Sequence, residues 1–313
     1  MVKEWNKVAE SRLKAIRPHG PMKPRPWYLP CNAISQMWLT AVVFLEAALL
    51  AQMPGSGPGS GLIHQAIQLD LEGRGTEARQ LLQEAIDSAV SPAARANAQR
   101  AMAMSWAFEG NCDKTGEYER MVIDYWVTRE KTEPHNAFYQ EGEMADEAAR
   151  VCIDSGRVDA ALLWYQKGRA LGLKEPDIPN DRRALWEFRW EHAQARIAAR
   201  GGNKTDAERH VAAARAALEG MTELRRQQET FFPYLTGYVA FFLGDYNKAV
   251  IDLQNADQND PFIQCLLGQA YEELGEQARA IECYRKASTT KAHNPPAAFA
   301  RPFARKKLED TGA

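Results

Sequence analysis

Residues 237–256 and 268–287 carry one pattern twice, at a 31-residue offset, and that pattern restricts the chain to paired helices. In each copy a small residue (Gly237, Gly268) is followed seven positions on by a glycine (Gly244, Gly275) and five further by an alanine (Ala249, Ala280). A bulky residue (Leu253, Tyr284) and a second alanine (Ala256, Ala287) complete the copy. A small residue lets two helices approach closely. A glycine ends the first helix, because the left-handed backbone of a helix terminus is unstrained only without a β-carbon. The alanine, bulky, alanine series at i, i+4 and i+7 is one face of a second helix. The unit is an antiparallel helix hairpin.

This spacing resembles the tetratricopeptide repeat, and Pro261 falls where that family often closes a repeat. Such hairpins stack, because one alone cannot bury its apolar face. The resemblance implies an all-α, right-handed α-solenoid that works as a protein-binding scaffold and not as a catalyst. The same frame finds weaker copies upstream: Ala66, Gly73, Ala78, Leu82 and Ala85; Ala149, Gly156, Ala161, Tyr165 and Gly168; Ala195, Gly202, Ala207, Val211 and Ala214. Around Ala103, Trp106 and Gly110 a first helix fits, but Thr115 and Glu119 break the second. Six hairpins result, with first small residues offset by 37, 46, 46, 42 and 31. The long offsets predict extended helices or loops around Tyr125–Asn136 and Lys174–Asp181.

Composition agrees. The repeat region is rich in helix-forming Ala, Leu, Glu, Gln and Arg, and no segment alternates with a two-residue period. The expected organisation is an N-terminal extension with a signal peptide (1–51), a flexible Gly/Pro/Ser leader (52–61), six hairpins (62–292) and a capping helix with tail (293–313). Pro295 and Pro296 suit the start of that cap. Pro302 fits only if the helix begins near it or kinks. Arg305, Lys306 and Lys307 near its end form a solvated cap and not a nucleic-acid or membrane patch.

The apolar run Trp38–Leu50 is too short for a membrane span, which needs about 20 residues, and has the length of a secretory signal core. Lys23 and Arg25 precede it; Glu46 within it and the long lead before it are unfavourable, and Met22 is the more natural start. Export to the periplasm or cell exterior of a bacterium is therefore expected. The alternative is a cytoplasmic protein whose apolar N-terminal helix packs on the first repeat. Residues 1–51 hold seven cations and three anions, so their loss changes the net charge from −2 to −6. An acidic domain of that kind does not favour nucleic acid.

Of five cysteines, Cys31 leaves with a signal. Cys112, Cys152, Cys265 and Cys283 sit in or at the ends of helices with no close spacing, which argues against a disulfide framework. Cys265 and Cys283, on opposite helices of the last hairpin, either approach one another or remain two buried thiols. No cofactor or metal is implied: the histidines are scattered, and Gly201, Gly202, Asn203, Lys204 and Thr205 lack the spacing of a phosphate loop. The acidic cluster Glu141, Glu143, Asp146 and Glu147 projects to several helix faces and is expected to be solvated. Aromatic Trp186, Phe188 and Trp190 are expected between repeats.

In proteins of the family the first helices line a concave groove. The resemblance places Arg100 and Met104, Asp146 and Arg150, His192, Arg196 and Arg200, Tyr234, Tyr238 and Phe241, and Gln269, Glu272 and Glu273 on it. A basic centre beside an aromatic repeat suits an acidic peptide, or one whose terminal carboxylate a guanidinium can grip. The alternative is that these side chains pair between neighbouring helices. A rival function is a structural subunit that associates with itself or within an envelope assembly.

Overall fold

Each hairpin turn is closed by a glycine held at positive φ. At Gly244 (φ 81°) and Gly275 (φ 76°) a β-carbon would be strained, and the following amide reaches back across the turn: Asp245 N donates to Ala240 O at 2.9 Å and Glu276 N to Tyr271 O at 2.8 Å. Gly73, Gly110, Gly156 and Gly202 hold the same place in the other hairpins. The residue after the glycine then often opens the second helix. Asn111, Asn203 and Asp245 each accept the amide three residues on, which removes one orphan donor.

The computed structural model describes residues 58–312, which are helical with short connections; among the described residues there is no strand. The helices are α1 (Pro58–Glu72), α2 (Gly75–Asp87), α3 (Pro92–Ala107), α4 (Cys112–Val127), α5 (Pro134–Asp154), α6 (Val158–Gly172), α7 (Asn180–Arg200), α8 (Lys204–Glu219), the short α9 (Arg225–Gln228) running into a 3₁₀ turn, α10 (Phe232–Phe242), α11 (Tyr246–Gln254), α12 (Pro261–Glu273), α13 (Gln277–Ser288) and α14 (Pro295–Thr311). They pair as hairpins α1–α2, α3–α4, α5–α6, α7–α8, α10–α11 and α12–α13, stacked in order as a solenoid. The residues assigned to a signal and to the first part of the leader lie outside the described residues. Residues 58–61, expected in the leader, form the first turn of α1.

The repeat frame is the packing frame. Ala66, Ala103, Ala149 and Ala195 on first helices are fully buried, as are Ala78, Ala161, Ala207, Ala249 and Ala280 on second helices. A β-carbon on Gly237 would come within 2.6 Å of Leu253, and one on Gly268 within 2.5 Å of Tyr284. The second hairpin corrects an expectation: Thr115 and Glu119 do not break it. Both are fully buried in α4, at the positions alanine and a bulky residue hold elsewhere. Thr115 Oγ1 donates to Ala103 O at 3.3 Å, which satisfies the hydroxyl inside the hairpin. The extra residues of the long offsets lengthen α5 and α7 to 21 residues each, against 13 in α12. Trp186 and Phe188 are buried between hairpins. Helix α14 is capped by Asn294, and Pro302 lies inside it, on an exposed side, without ending it.

The cysteines also differ from expectation. Cys112 opens α4 and Cys152 lies near the end of α5, so antiparallel packing brings their Cα atoms to 4.7 Å and they form a disulfide. Cys265 and Cys283 are free and buried.

Candidate partner-binding surface

The first helices bring six of the thirteen expected groove residues together, but as an internal seam. Arg150 on α5 donates to Asp154 at 2.8 Å, and its guanidinium lies 4.2 Å from the ring centre of Phe262 and 5.5 Å from that of Tyr234. Arg196 on α7 donates to the Tyr165 hydroxyl at 2.7 Å and is buried. Arg200 donates to the Tyr238 hydroxyl at 2.6 Å and lies over Phe242. Tyr234 and Tyr238 on α10 are buried, and His192 is wedged between Phe188 and Tyr234. Burial, reinforced by the Arg196 and Arg150 cations, holds His192 well below the usual imidazole range, so it is neutral at pH 7. Arg196 and Arg200 thus donate to tyrosines of neighbouring helices and Arg150 to Asp154 of its own helix, while Arg150 Nη2 and Arg196 Nε and Nη1 are buried without a hydrogen-bond partner. Phe241 takes no part; it packs on Phe242 and Tyr246 within its own hairpin. Tyr165, the bulky residue of the repeat frame, had no sequence signal as the partner of Arg196.

A second internal network lies between α3, α4 and α5. Arg100 donates through two nitrogens to Glu147. Glu119 sits beside that pair; burial and the Glu147 carboxylate push it well above the ordinary carboxylate range. Glu143 accepts from Arg189 of α7, and burial pushes Asp146 up to about 7. Glu141 is fully buried. The acidic cluster thus faces neighbouring helices and is not the solvated face its sequence implies. Met104 is buried, Glu272 accepts from Lys307 at 2.7 Å, and Gln269 is half-buried.

Helix α14 does more than cap the last hairpin. Ala300 and Ala304 pack on α12 and α13, while Ala298 packs with Ala103, Met104 and Ala107 of α3 and Val151 of α5. Just before it, His293 Nε2 lies 2.9 Å from Asp70 Oδ2 of α1, and Ser105 Oγ donates to Asp70 Oδ1 at 2.8 Å. Phe108 stacks on the His293 ring, and Arg301 Nε donates to Leu71 O at 2.8 Å. The end of the array is thereby fixed to its first three hairpins.

The large apolar side chains left exposed lie elsewhere. Met121 and Val127 are on α4, Leu163 on α6 and Ile251 on α11, all second helices; Val90 and Phe231 are in connections. Among the described residues, no helix is long and apolar enough to cross a membrane.

The tetratricopeptide repeat profile matches residues 263–294, the stretch that holds α12 and α13. A tetratricopeptide repeat-containing protein of Methanocaldococcus jannaschii is 41% identical over 58 residues, which is 18% of this chain and 18% of that protein.

Proposed function

We propose, from the premise that this chain is a tetratricopeptide repeat protein, that it is a non-catalytic module which binds a protein or peptide through the outer face of its second helices. Repeats of this family mediate contacts between proteins. The observation that carries the choice of face is the internal seam: His192, Arg196, Tyr234 and Tyr238 are buried, while Leu163 and Ile251 stand out from second helices. An extended ligand at the inner face would first have to part α14 from α3 and α5. Surface of mixed charge on a chain of net −2 favours a protein partner over nucleic acid. The Cys112–Cys152 bridge and the apolar run Trp38–Leu50 support a periplasmic or secreted location, where a disulfide persists.

The test is capture from a native cell-envelope extract with the immobilised full chain, its Leu163→Asp and Ile251→Asp variants, and an Ala298→Arg variant that wedges α14 away. A partner kept by the native chain and by Ala298→Arg, but lost by an outer-face variant, supports this reading. A partner gained only by Ala298→Arg would return the binding role to the inner groove. Enrichment of the chain itself, with a mass that rises with concentration, would support a self-associating structural subunit instead.

A further inference from the structure

A cleft lies on the outer face, between second helices. Helices α4 and α6 flank an opening of about 460 Å³ whose floor is the indole of Trp164. The indole can lie there because Gly116 of α4 has no side chain: a β-carbon would meet Trp164 Cζ2 at 2.8 Å. Ala160 and Leu163 extend the apolar wall, and Leu163 is 68% exposed. Two cations stand over the same ring, the Arg120 guanidinium 4.9 Å and the Lys167 ammonium 5.0 Å from its centre. Among the described residues neither has a carboxylate within 4.0 Å, whereas Asp113 at the end of the cleft is paired with Arg157 at 3.2 Å. Burial and the Arg120 charge lower the Lys167 pKa, partly offset by Asp124 and Glu141. Two like charges converging on one apolar floor are a local excess that an anion relieves.

Resting on the interaction-module reading, we propose that the α4–α6 cleft docks a short partner segment in which a carboxylate side chain lies next to a large apolar one. The carboxylate sits between Arg120 and Lys167, and the apolar side chain covers Trp164, Ala160 and Leu163. Asp124 and Glu141, whose charges reach Lys167, bound the positive zone, so that it accommodates one acidic side chain and not a continuous polyanion such as nucleic acid. The Trp164 indole is only 8% exposed and forms a rigid floor, so Leu163, 68% exposed, supplies most of the apolar contact area.

The experiment is selection of a random twelve-residue peptide library on the oxidised full chain, followed by titration of the labelled winners by fluorescence anisotropy. The proteins are the native chain, Arg120→Glu/Lys167→Glu, Leu163→Asp, and Arg285→Glu as a remote control. The expected winners carry Asp or Glu beside a large apolar residue. Their Kd rises by about tenfold or more on double charge reversal, and also with Leu163→Asp, and stays unchanged in the control. Binding also weakens with added salt. Winners that bind the charge-reversed and native chains equally would overturn the cleft while leaving an interaction module that binds elsewhere. Winners of neutral or basic composition, or none above background, would also overturn it; the capture experiment then decides the broader reading on its own.

Discussion

Glu141 shows most sharply what single side chains contribute to this fold. Both of its carboxylate oxygens are buried without a hydrogen-bond partner. Burial, and then repulsion from Glu130, push its pKa to about 7, from an ordinary 4.5. Because the folded value is the higher one, the native state prefers the protonated acid. Its contribution is fully present below about pH 4.5 and is lost as pH rises through 7. The native chain should lose on the order of 3 kcal/mol between pH 4.5 and 8 from this group alone. Glu141→Gln should flatten that slope and be the more stable protein at pH 8. Urea unfolding of both proteins at pH 5 and pH 8 measures it, and parallel pH dependence in the two would refute the argument. Glu119 teaches the same lesson about legibility. A carboxylate where the repeat asks for a bulky apolar residue reads as a broken helix, because one hairpin's pattern does not include the next. The charges that surround Glu119 come from the flanking helices: Arg100 of α3 favours its ionised form, and Glu147 of α5 opposes it.

Between elements, the bridge from Cys112 to Cys152 ties the start of α4 to the end of α5 across 40 residues of chain. Closing a loop of that length removes unfolded-state entropy worth about 4 kcal/mol in the chain-entropy account. Cys112→Ala/Cys152→Ala, or reduction of the native chain, should therefore lower the melting temperature by several degrees and leave helix content intact. Thermal unfolding followed by circular dichroism, with and without reductant, measures this. Equal melting curves, or alkylation of both thiols in an oxidised preparation, would contradict it. The sequence showed which helices pair, since Gly244, Gly275 and their counterparts mark each turn. It did not show which residues of successive hairpins meet. That register depends on helix length, and α5 and α7 are each extended well beyond the repeat. The slot for Trp186 has the same origin. A β-carbon on Gly142 would come within 2.3 Å of its indole and one on Gly172 within 2.0 Å, yet neither glycine belongs to the 31-residue pattern. Of the thirteen residues that the resemblance puts on the groove, six, Arg150, His192, Arg196, Arg200, Tyr234 and Tyr238, meet in one seam. Their burial follows from contacts between hairpins two or three apart, such as Arg150 with Phe262, which no local spacing encodes.

At the scale of the molecule, α14 alters how the repeats share stability. In a linear array each hairpin feels only its neighbours, so damage at one end stays there. Here His293 meets Asp70 across 223 residues of sequence, and Ala298 packs against α3 and α5. The last helix is thereby a neighbour of the first three hairpins. Ala298 is 2% exposed, and an arginine there has no room beside Ala103 and Ala107. Ala298→Arg should then separate α14 from α3 while Ala300 and Ala304, on other faces, keep it on α12 and α13. If the closing contact carries energy, amide exchange should rise about tenfold or more in peptides covering residues 58–108, which corresponds to at least about 1.4 kcal/mol of lost protection. Hydrogen-exchange mass spectrometry of the two proteins measures this directly. Faster exchange confined to residues 255–312 would mean that the ends merely touch and that the array remains linear in its energetics. A rise at the first hairpins would mean that opening at α14 is sensed at the far end of the chain, so that any ligand able to lift this helix would act on both ends at once.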